Sequence, residues 1–169
     1  MGNFKEITDY KDTILTNLIK NERLVQAVGN PVADFLSMPD KSIKPQNLLY
    51  TNIFPYRYLC DPDDKQATFI TFYIMGSTSG IITKTNKMFK ETLIGFDIYC
   101  HSSVVRTNEG CLRYDFIATE IDEMLNSKRL SSSITKAKLL NHTDYSIYEG
   151  IWHGTQLKYS VIDRIIDCH

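Results

Sequence analysis

The chain lacks any apolar run near the length of about 20 residues that a membrane-spanning helix needs, and its first residues form no apolar signal segment. It also lacks charge of one sign, because 19 basic side chains stand against 20 acidic ones and give a formal net charge of -1. This balance provides no overall attraction to nucleic acid or to anionic lipid. We therefore expect a soluble protein that is not exported by the usual signal and that recognises neither nucleic acid nor membrane directly.

Sequence motifs of common enzymes are absent. The chain has no Gly-rich phosphate loop, no GxSxG turn and no HExxH pair, and its 4 His residues are scattered. Pro62-Asp63 is similar to the opening of a metal-dependent nuclease motif, but Asp97-Ile98-Tyr99 stands where that motif requires an acid and a lysine two residues apart. We predict that the protein is not an enzyme, with a small metal-dependent nuclease as the minor alternative.

The 4 cysteines, Cys60, Cys100, Cys111 and Cys168, are dispersed along the chain. Structural zinc sites use short CxxC spacings, whereas neighbouring Cys and His residues on a strand point to opposite faces. A chain long enough for a substantial core and without an export signal is typical of proteins with free thiols. We therefore predict reduced cysteines, no metal and no cofactor.

The length of 169 residues and the 43% hydrophobic content suit one core, so a single domain is predicted over residues 1–169. Apolar residues recur at helical spacing from about residue 5 to residue 28, and Gly29-Asn30-Pro31 then ends the pattern. A second apolar stripe predicts a central helix near residues 110–128.

Alternating patterns predict strands at Thr68–Ile74, Thr92–Cys100 and Gln156–Asp163. The first two are expected to pair as a long hairpin, with Asp97 and Tyr99 pointing away from the core. The predicted fold class is α+β: a single domain in which a mostly antiparallel sheet with a long hairpin packs against the N-terminal helix and the central helix. The expected core residues are Leu15, Leu18, Ile70, Phe72, Phe96, Ile98, Phe116, Ile117, Ile121, Leu157 and Val161.

Two segments lack a regular pattern. Residues 39–55 mix prolines, lysines and polar residues, which predicts an extended arm. Residues from about 76 to 90 begin with glycines and hydroxyl side chains, which predicts a flexible insert that becomes ordered on a partner. Aromatic residues after the arm are expected either to form an edge strand or to contact another subunit. The candidate interface residues are Phe54, Tyr56, Tyr58, Phe69, Tyr73, Ile81, Ile82, Lys84, Lys87, Met88 and Phe89.

The order of the predicted elements resembles that of the tail terminator proteins of tailed bacteriophages. The elements that carry the resemblance are the helix at Ile7–Val28, the strand pair, the helix at Cys111–Lys128 and the final strand, so it covers most of the chain. The resemblance implies a subunit of a ring, commonly a hexamer, that caps the finished tail tube, stops its polymerisation and offers a surface for joining to the head.

The same resemblance implies the partners and the location. The partners would be further copies of the chain, the tail tube protein and a head-tail connector or neck protein, with the tail sheath as a further candidate. The protein would be found in the virion tail or neck, and in the host cytoplasm during assembly. Another neck or head-completion role is an alternative, because a minimal terminator would not need the segment at residues 39–55. A small enzyme or ligand-binding domain is the alternative from a different class.

Overall fold

The computed structural model describes residues 3–63, 67–82, 87–108, 110–126 and 137–164. Its helices are α1 (Asn3–Lys20), α2 (Glu22–Gly29) and α3 (Arg113–Asn126). Its strands are β1 (Ile53–Phe54), β2 (Thr68–Ile82), β3 (Lys87–His101), β4 (Lys138–Ile147) and β5 (Trp152–Arg164). Two short 3-10 helices cover Pro45–Leu48 and Tyr148–Gly150.

The strands form one five-stranded sheet in the order β1-β2-β3-β5-β4. Every neighbouring pair is antiparallel except β1 and β2, which run parallel. The three helices contribute to one hydrophobic core with residues from a single face of the sheet, such as Phe72, Phe96 and Tyr159. This architecture confirms the predicted α+β class, the single domain and the mostly antiparallel sheet.

The predicted core is correct. Leu15 is partly buried against the core, and the other ten predicted core residues are buried. Phe96 is at the centre, with its ring centroid 5.7 Å from that of Phe72 and 5.9 Å from that of Tyr159. The alternation of apolar side chains along β2 and β3 therefore identifies the face that the helices cover.

The predicted helix over residues 5–28 is two helices, because Asn21 begins a new one. The Asn21 side chain accepts a hydrogen bond from the backbone N–H of Leu24 at 3.1 Å, as an N-cap does. Its Nδ2 also donates to Glu120 Oε2 at 2.9 Å, which ties the break to α3. The predicted central helix begins at Arg113 rather than near Gly110, and residues 127–128 lie outside the described residues.

The hairpin of β2 and β3 is much longer than predicted. The pairing runs from Thr68↔Cys100 to Ile82↔Lys87, with a register shift between Ile74 and Gly76. The expectation of an irregular insert from about 76 to 90 is therefore wrong for residues 76–82 and 87–90, while residues 83–86 lie outside the described residues. On its other side β3 pairs with β5 as far as Phe89↔Arg164, so backbone pairing outweighs the poor strand propensity of Gly and Ser.

The extended arm predicted over residues 39–55 is also wrong. Pro45 stands at the start of a 3-10 helix, a position that tolerates proline because its backbone N–H is not needed there. Leu48 and Ile53 are buried in the main core, and β1 pairs with β2 through Ile53↔Ile70 and Phe54↔Thr71. The sequence does not predict strand β4, because most of its side chains are exposed and show no apolar alternation.

Candidate functional site on the outer face of the sheet

The sheet face opposite the helices, which we call the outer face, carries its own apolar cluster. Phe54, Phe69, Tyr99 and Trp152 are buried in it together with Cys60. The chain that follows β1 covers part of this face and supplies both Cys60 and the half-buried Tyr58. The outer face is therefore not fully exposed to solvent. Tyr99 points away from the main core, as the sequence predicts, but it is only 6% exposed because it belongs to this second cluster.

The structure brings together most of the aromatic residues that the sequence proposed as an interface. The rings of Phe54 and Tyr58 stack with centroids 4.2 Å apart, and Tyr56 packs edge-on against Phe54 at 5.5 Å. Phe54 and Phe69 are 5% and 3% exposed, so they support this surface from below rather than offering area to a partner. Tyr56, at 46% exposed, does offer such area.

The remaining proposed interface residues are in the hairpin. Tyr73 lies on β2 and is nearly buried. Lys84 lies outside the described residues. Ile81, Ile82, Lys87, Met88 and Phe89 belong to the paired backbone of β2 and β3.

A buried carboxylate lies beside the aromatic cluster. Asp97, on the central strand β3, is 4% exposed. Its Oδ1 accepts hydrogen bonds from Gln156 Nε2 at 2.7 Å and from the Tyr73 hydroxyl at 3.3 Å. The strand register explains these contacts, because Asp97 pairs with Gln156 of β5 and with Thr71 of β2, two residues before Tyr73. Asp97 thus points away from the main core, as the sequence predicts, but it is buried by its neighbours on the outer face.

Arg57 is the cation nearest to this carboxylate among the described residues. Its Nε lies 3.9 Å from Asp97 Oδ2, which is an ion-pair distance but too long for a hydrogen bond. Its Nη2 donates to the Tyr73 hydroxyl at 3.0 Å, and its guanidinium carbon lies 4.5 Å from the centre of the Tyr73 ring. The hydrogen bond to Tyr73 is the main reason that the pKa of Arg57 is raised. Tyr73 therefore holds the Arg57 guanidinium close to Asp97.

A cavity of about 440 Å³ opens above Asp97. Its size is within the range of ligand pockets, and it has the same mixture of apolar walls and a few polar groups. The sequence pointed to Tyr58 alone among the lining residues, because the others are brought together from β3, β4, β5 and the segment after β1. The cavity is lined by Arg57, Tyr58, Leu59, Asp97, Tyr99, Tyr145, Ile147 and Gln156.

Two tyrosines of this cavity, Tyr99 and Tyr145, have raised pKa values and stay protonated at neutral pH. Burial, followed by the nearby charge of Asp97, raises the pKa of Tyr99 to about 12. Burial also raises the pKa of Tyr145, whose hydroxyl donates to the carbonyl oxygen of Ile98 at 3.2 Å. Asp97 is the one carboxylate among the described residues that line the cavity.

One edge of the sheet is long and uncharged. β1 covers β2 only opposite Ile70 and Thr71, and within the described part of the chain no further strand pairs with the outer edge of β2. The 15 residues of β2 include no charged side chain and no proline. The opposite edge of the sheet, β4, differs in character because it carries Lys138, His142 and Asp144.

A second group of titratable residues lies between α3 and β4. One potential ligand atom from each of Asp115, His142 and Asp144 lies within 4.8 Å of the other two, a spacing that is compatible with binding a metal ion. The pKa of Asp115 is raised, first by burial and then by the charge of Asp144. His142 Nε2 lies 3.1 Å from Asp144 Oδ1, with both side chains about half exposed, and an ordinary surface contact between two polar side chains explains that distance.

Comparison of the sequence with known proteins and protein families places the chain in one family. No curated protein matches it. No helix in the described ranges is both long enough and apolar enough to cross a membrane. The sequence model of the YomW family matches residues 21–161, from the break before α2 almost to the end of β5. This family is phage-derived. The chain therefore belongs to the YomW family and is a phage-associated protein.

Proposed function

We propose that the chain is a structural virion protein, and specifically a tail terminator. In this role its copies form a closed ring, commonly a hexamer, that caps the phage tail tube, stops its polymerisation and provides a surface for head joining. Membership of a phage-derived family supports the phage context. The arrangement of the sheet edges supports assembly through the chain itself.

The uncharged outer edge of β2 is the observation that carries this proposal. Natural edge strands are usually protected against pairing with other chains by charged residues, by proline, by bulges or by being short. β2 is 15 residues long without charge or proline, and its register shift near Met75 is the only such device along it. Exposed edges of this kind bind extended segments of a partner through backbone hydrogen bonds.

A ring also requires a second, different surface on each subunit. The interface in a ring is heterologous, which means that one patch meets another patch of the next copy. β4 provides an edge at the far side of the sheet from β2. Each edge strand has a register shift that leaves an apolar residue exposed, Met75 at 41% and Leu140 at 47%. In this proposal the β2 edge of one copy meets the β4 edge of the next.

The ring then has two axial faces for other virion proteins. One face contacts the tail tube protein, and the other contacts the head-tail connector or a neck protein, with the tail sheath as a further candidate partner. The protein works in the virion tail or neck and reaches it from the host cytoplasm during assembly. It acts by binding and performs no catalysis. A role elsewhere in the neck or in head completion is the second candidate, because the packed segment at residues 39–55 adds structure beyond a minimal terminator.

Deletion of the gene in the parent phage, followed by electron microscopy of the particles, tests the function. We expect tails that exceed the wild-type length and heads that remain unjoined. Tails of normal length with unjoined heads would favour the neck or head-completion role instead. Normal tails joined to normal heads would contradict both.

A further inference from the structure

The Asp97 carboxylate brings a negative charge to the cavity, and the two side chains that donate hydrogen bonds to it are neutral. Gln156 and Tyr73 both donate to Oδ1, and neither side chain is a cation. The side chain of Asp97 is 6% exposed, whereas that of Arg57 is 67% exposed. A pair between a buried and an exposed group is screened on one side by solvent, so Arg57 offsets the carboxylate only in part. The cavity therefore favours a further positive group.

The walls of the cavity suit a cation on an apolar stem. The rings of Tyr99 and Tyr145 lie edge-to-face with centroids 5.5 Å apart, and Tyr58 also lines the cavity. Aromatic rings attract an ammonium group through cation–π interaction, at exposed sites as well as at buried ones. Leu59 and Ile147 add aliphatic surface that methylene groups can contact.

We propose that this cavity is a binding site for an alkylammonium group. The ammonium would donate to Asp97 Oδ2, and its methylene stem would pack on Leu59, Ile147 and the tyrosine rings. The same chemistry is present in a lysine side chain of another protein and in a free aliphatic amine. The site differs from the ring contacts, because the cavity opens on the outer face of the sheet, whereas the proposed ring pairs the backbone edges of β2 and β4; Tyr145 and Ile147 of β4 line the cavity with their side chains.

Three probes test the proposal on the full-length chain by saturation-transfer NMR, which tolerates large assemblies. N-acetyl-lysine-N-methylamide represents a protein side chain, 1,4-diaminobutane represents a free amine, and N-acetyl-norleucine-N-methylamide has a similar stem without charge. We expect saturable binding of the lysine derivative, whether or not the diamine also binds when it is tested alone. The norleucine derivative should not bind. Binding by the diamine as well makes free amines a source. Equal binding of the norleucine derivative, or no binding of either amine, would overturn the proposal.

Variants separate a charge effect from structural damage. Asp97→Asn should weaken amine binding at least about tenfold, because it removes a charge-assisted hydrogen bond. Asp144→Asn removes an exposed carboxylate from β4 and should leave the affinity unchanged. Arg57→Gln removes the competing cation from the rim and should tighten amine binding, an increase that damage to the fold would not produce. Weaker amine binding by Arg57→Gln, or unchanged binding by a folded Asp97→Asn, would overturn the proposal.

Discussion

Arg113 Nη1 lies 2.7 Å from the carbonyl oxygen of Asn30, the residue that ends α2. The same nitrogen donates to the Ala27 carbonyl at 2.8 Å, and Arg113 Nε donates to the Val104 carbonyl at 2.8 Å. Arg113 is fully buried at the first position of α3. One guanidinium therefore joins the end of α2, the start of α3 and the loop after β3, and it satisfies carbonyl groups that would otherwise be buried without a donor.

Loss of this guanidinium should be severe. We expect Arg113→Met to lower the free energy of unfolding by at least about 3 kcal/mol, because several buried carbonyl groups lose their donor. Urea unfolding followed by circular dichroism measures the change. Arg106→Met removes an exposed arginine nearby and should change stability by less than about 0.5 kcal/mol. Similar stabilities for the two variants would show that Arg113 does not hold the helices together.

Two glycines in strands provide a matched pair of backbone tests. A Cβ on Gly154 would overlap the carbonyl oxygen of Ile98 on β3, whereas a Cβ on Gly76 would meet nothing within 4 Å. We expect Gly154→Ala to destabilise the fold by about 2 kcal/mol or more and Gly76→Ala to be nearly neutral. Thermal unfolding of both variants checks the contrast. A stable Gly154→Ala variant would contradict the close contact between β3 and β5.

The main core should respond to a cavity at its centre. Phe96 is completely buried between Phe72 and Tyr159. We expect Phe96→Ala to cost about 3 to 5 kcal/mol of unfolding free energy. Leu140→Ala, which shortens a side chain that is 47% exposed, is the control and should cost much less. Chemical denaturation of both variants decides whether the assigned inward face is correct.

Alkaline pH should destabilise the outer face through Tyr99. Its pKa is raised to about 12 by burial, above the value near 10 of an unfolded tyrosine. Because the folded pKa is the higher one, the stabilising contribution is complete below pH about 10 and is lost as pH rises toward 12. Urea unfolding between pH about 10 and about 12 measures how the free energy of unfolding falls with pH. We expect it to fall less steeply for Tyr99→Phe than for the wild type. Tyr56→Phe, which alters an exposed ring, should give the wild-type slope. Identical slopes for all three proteins would contradict the burial of Tyr99.

The α+β fold could be predicted from the sequence where one face of an element is strongly apolar. Ile70 and Phe72 on β2, and Ile94 and Phe96 on β3, alternate with other residues, and this pattern identifies both strands. The apolar pattern does not reveal the break at Asn21, because apolar residues continue on both sides of it; the cap and the contact with Glu120 show it in the structure.

The candidate site could be predicted only in part. Tyr58 is noticeable in the sequence as part of an aromatic run. Asp97, however, lies between two apolar residues of a strand, on the face that the alternation predicts to be solvated. It is buried because the chain after β1 covers the outer face and because Gln156 arrives from β5, and neither contact is local in the sequence. Whether the edge of β2 is open depends on which other strands pair with it. A periodic pattern in the sequence does not show that pairing.

Native mass spectrometry of the full-length chain, with two lysine variants, tests the central claim that the β2 edge builds a ring. Met75→Lys places a charge on the exposed edge of β2, where it should oppose pairing with another copy. Ile162→Lys makes a similar change on β5, away from the β2 edge and beyond Ser160, where the described pairing with β4 ends, at a residue that is 44% exposed. We expect one closed oligomer, commonly a hexamer in such rings, for the wild type and for Ile162→Lys, and a folded monomer for Met75→Lys. A wild-type chain that stays monomeric, or a Met75→Lys chain that assembles as the wild type does, would contradict the account.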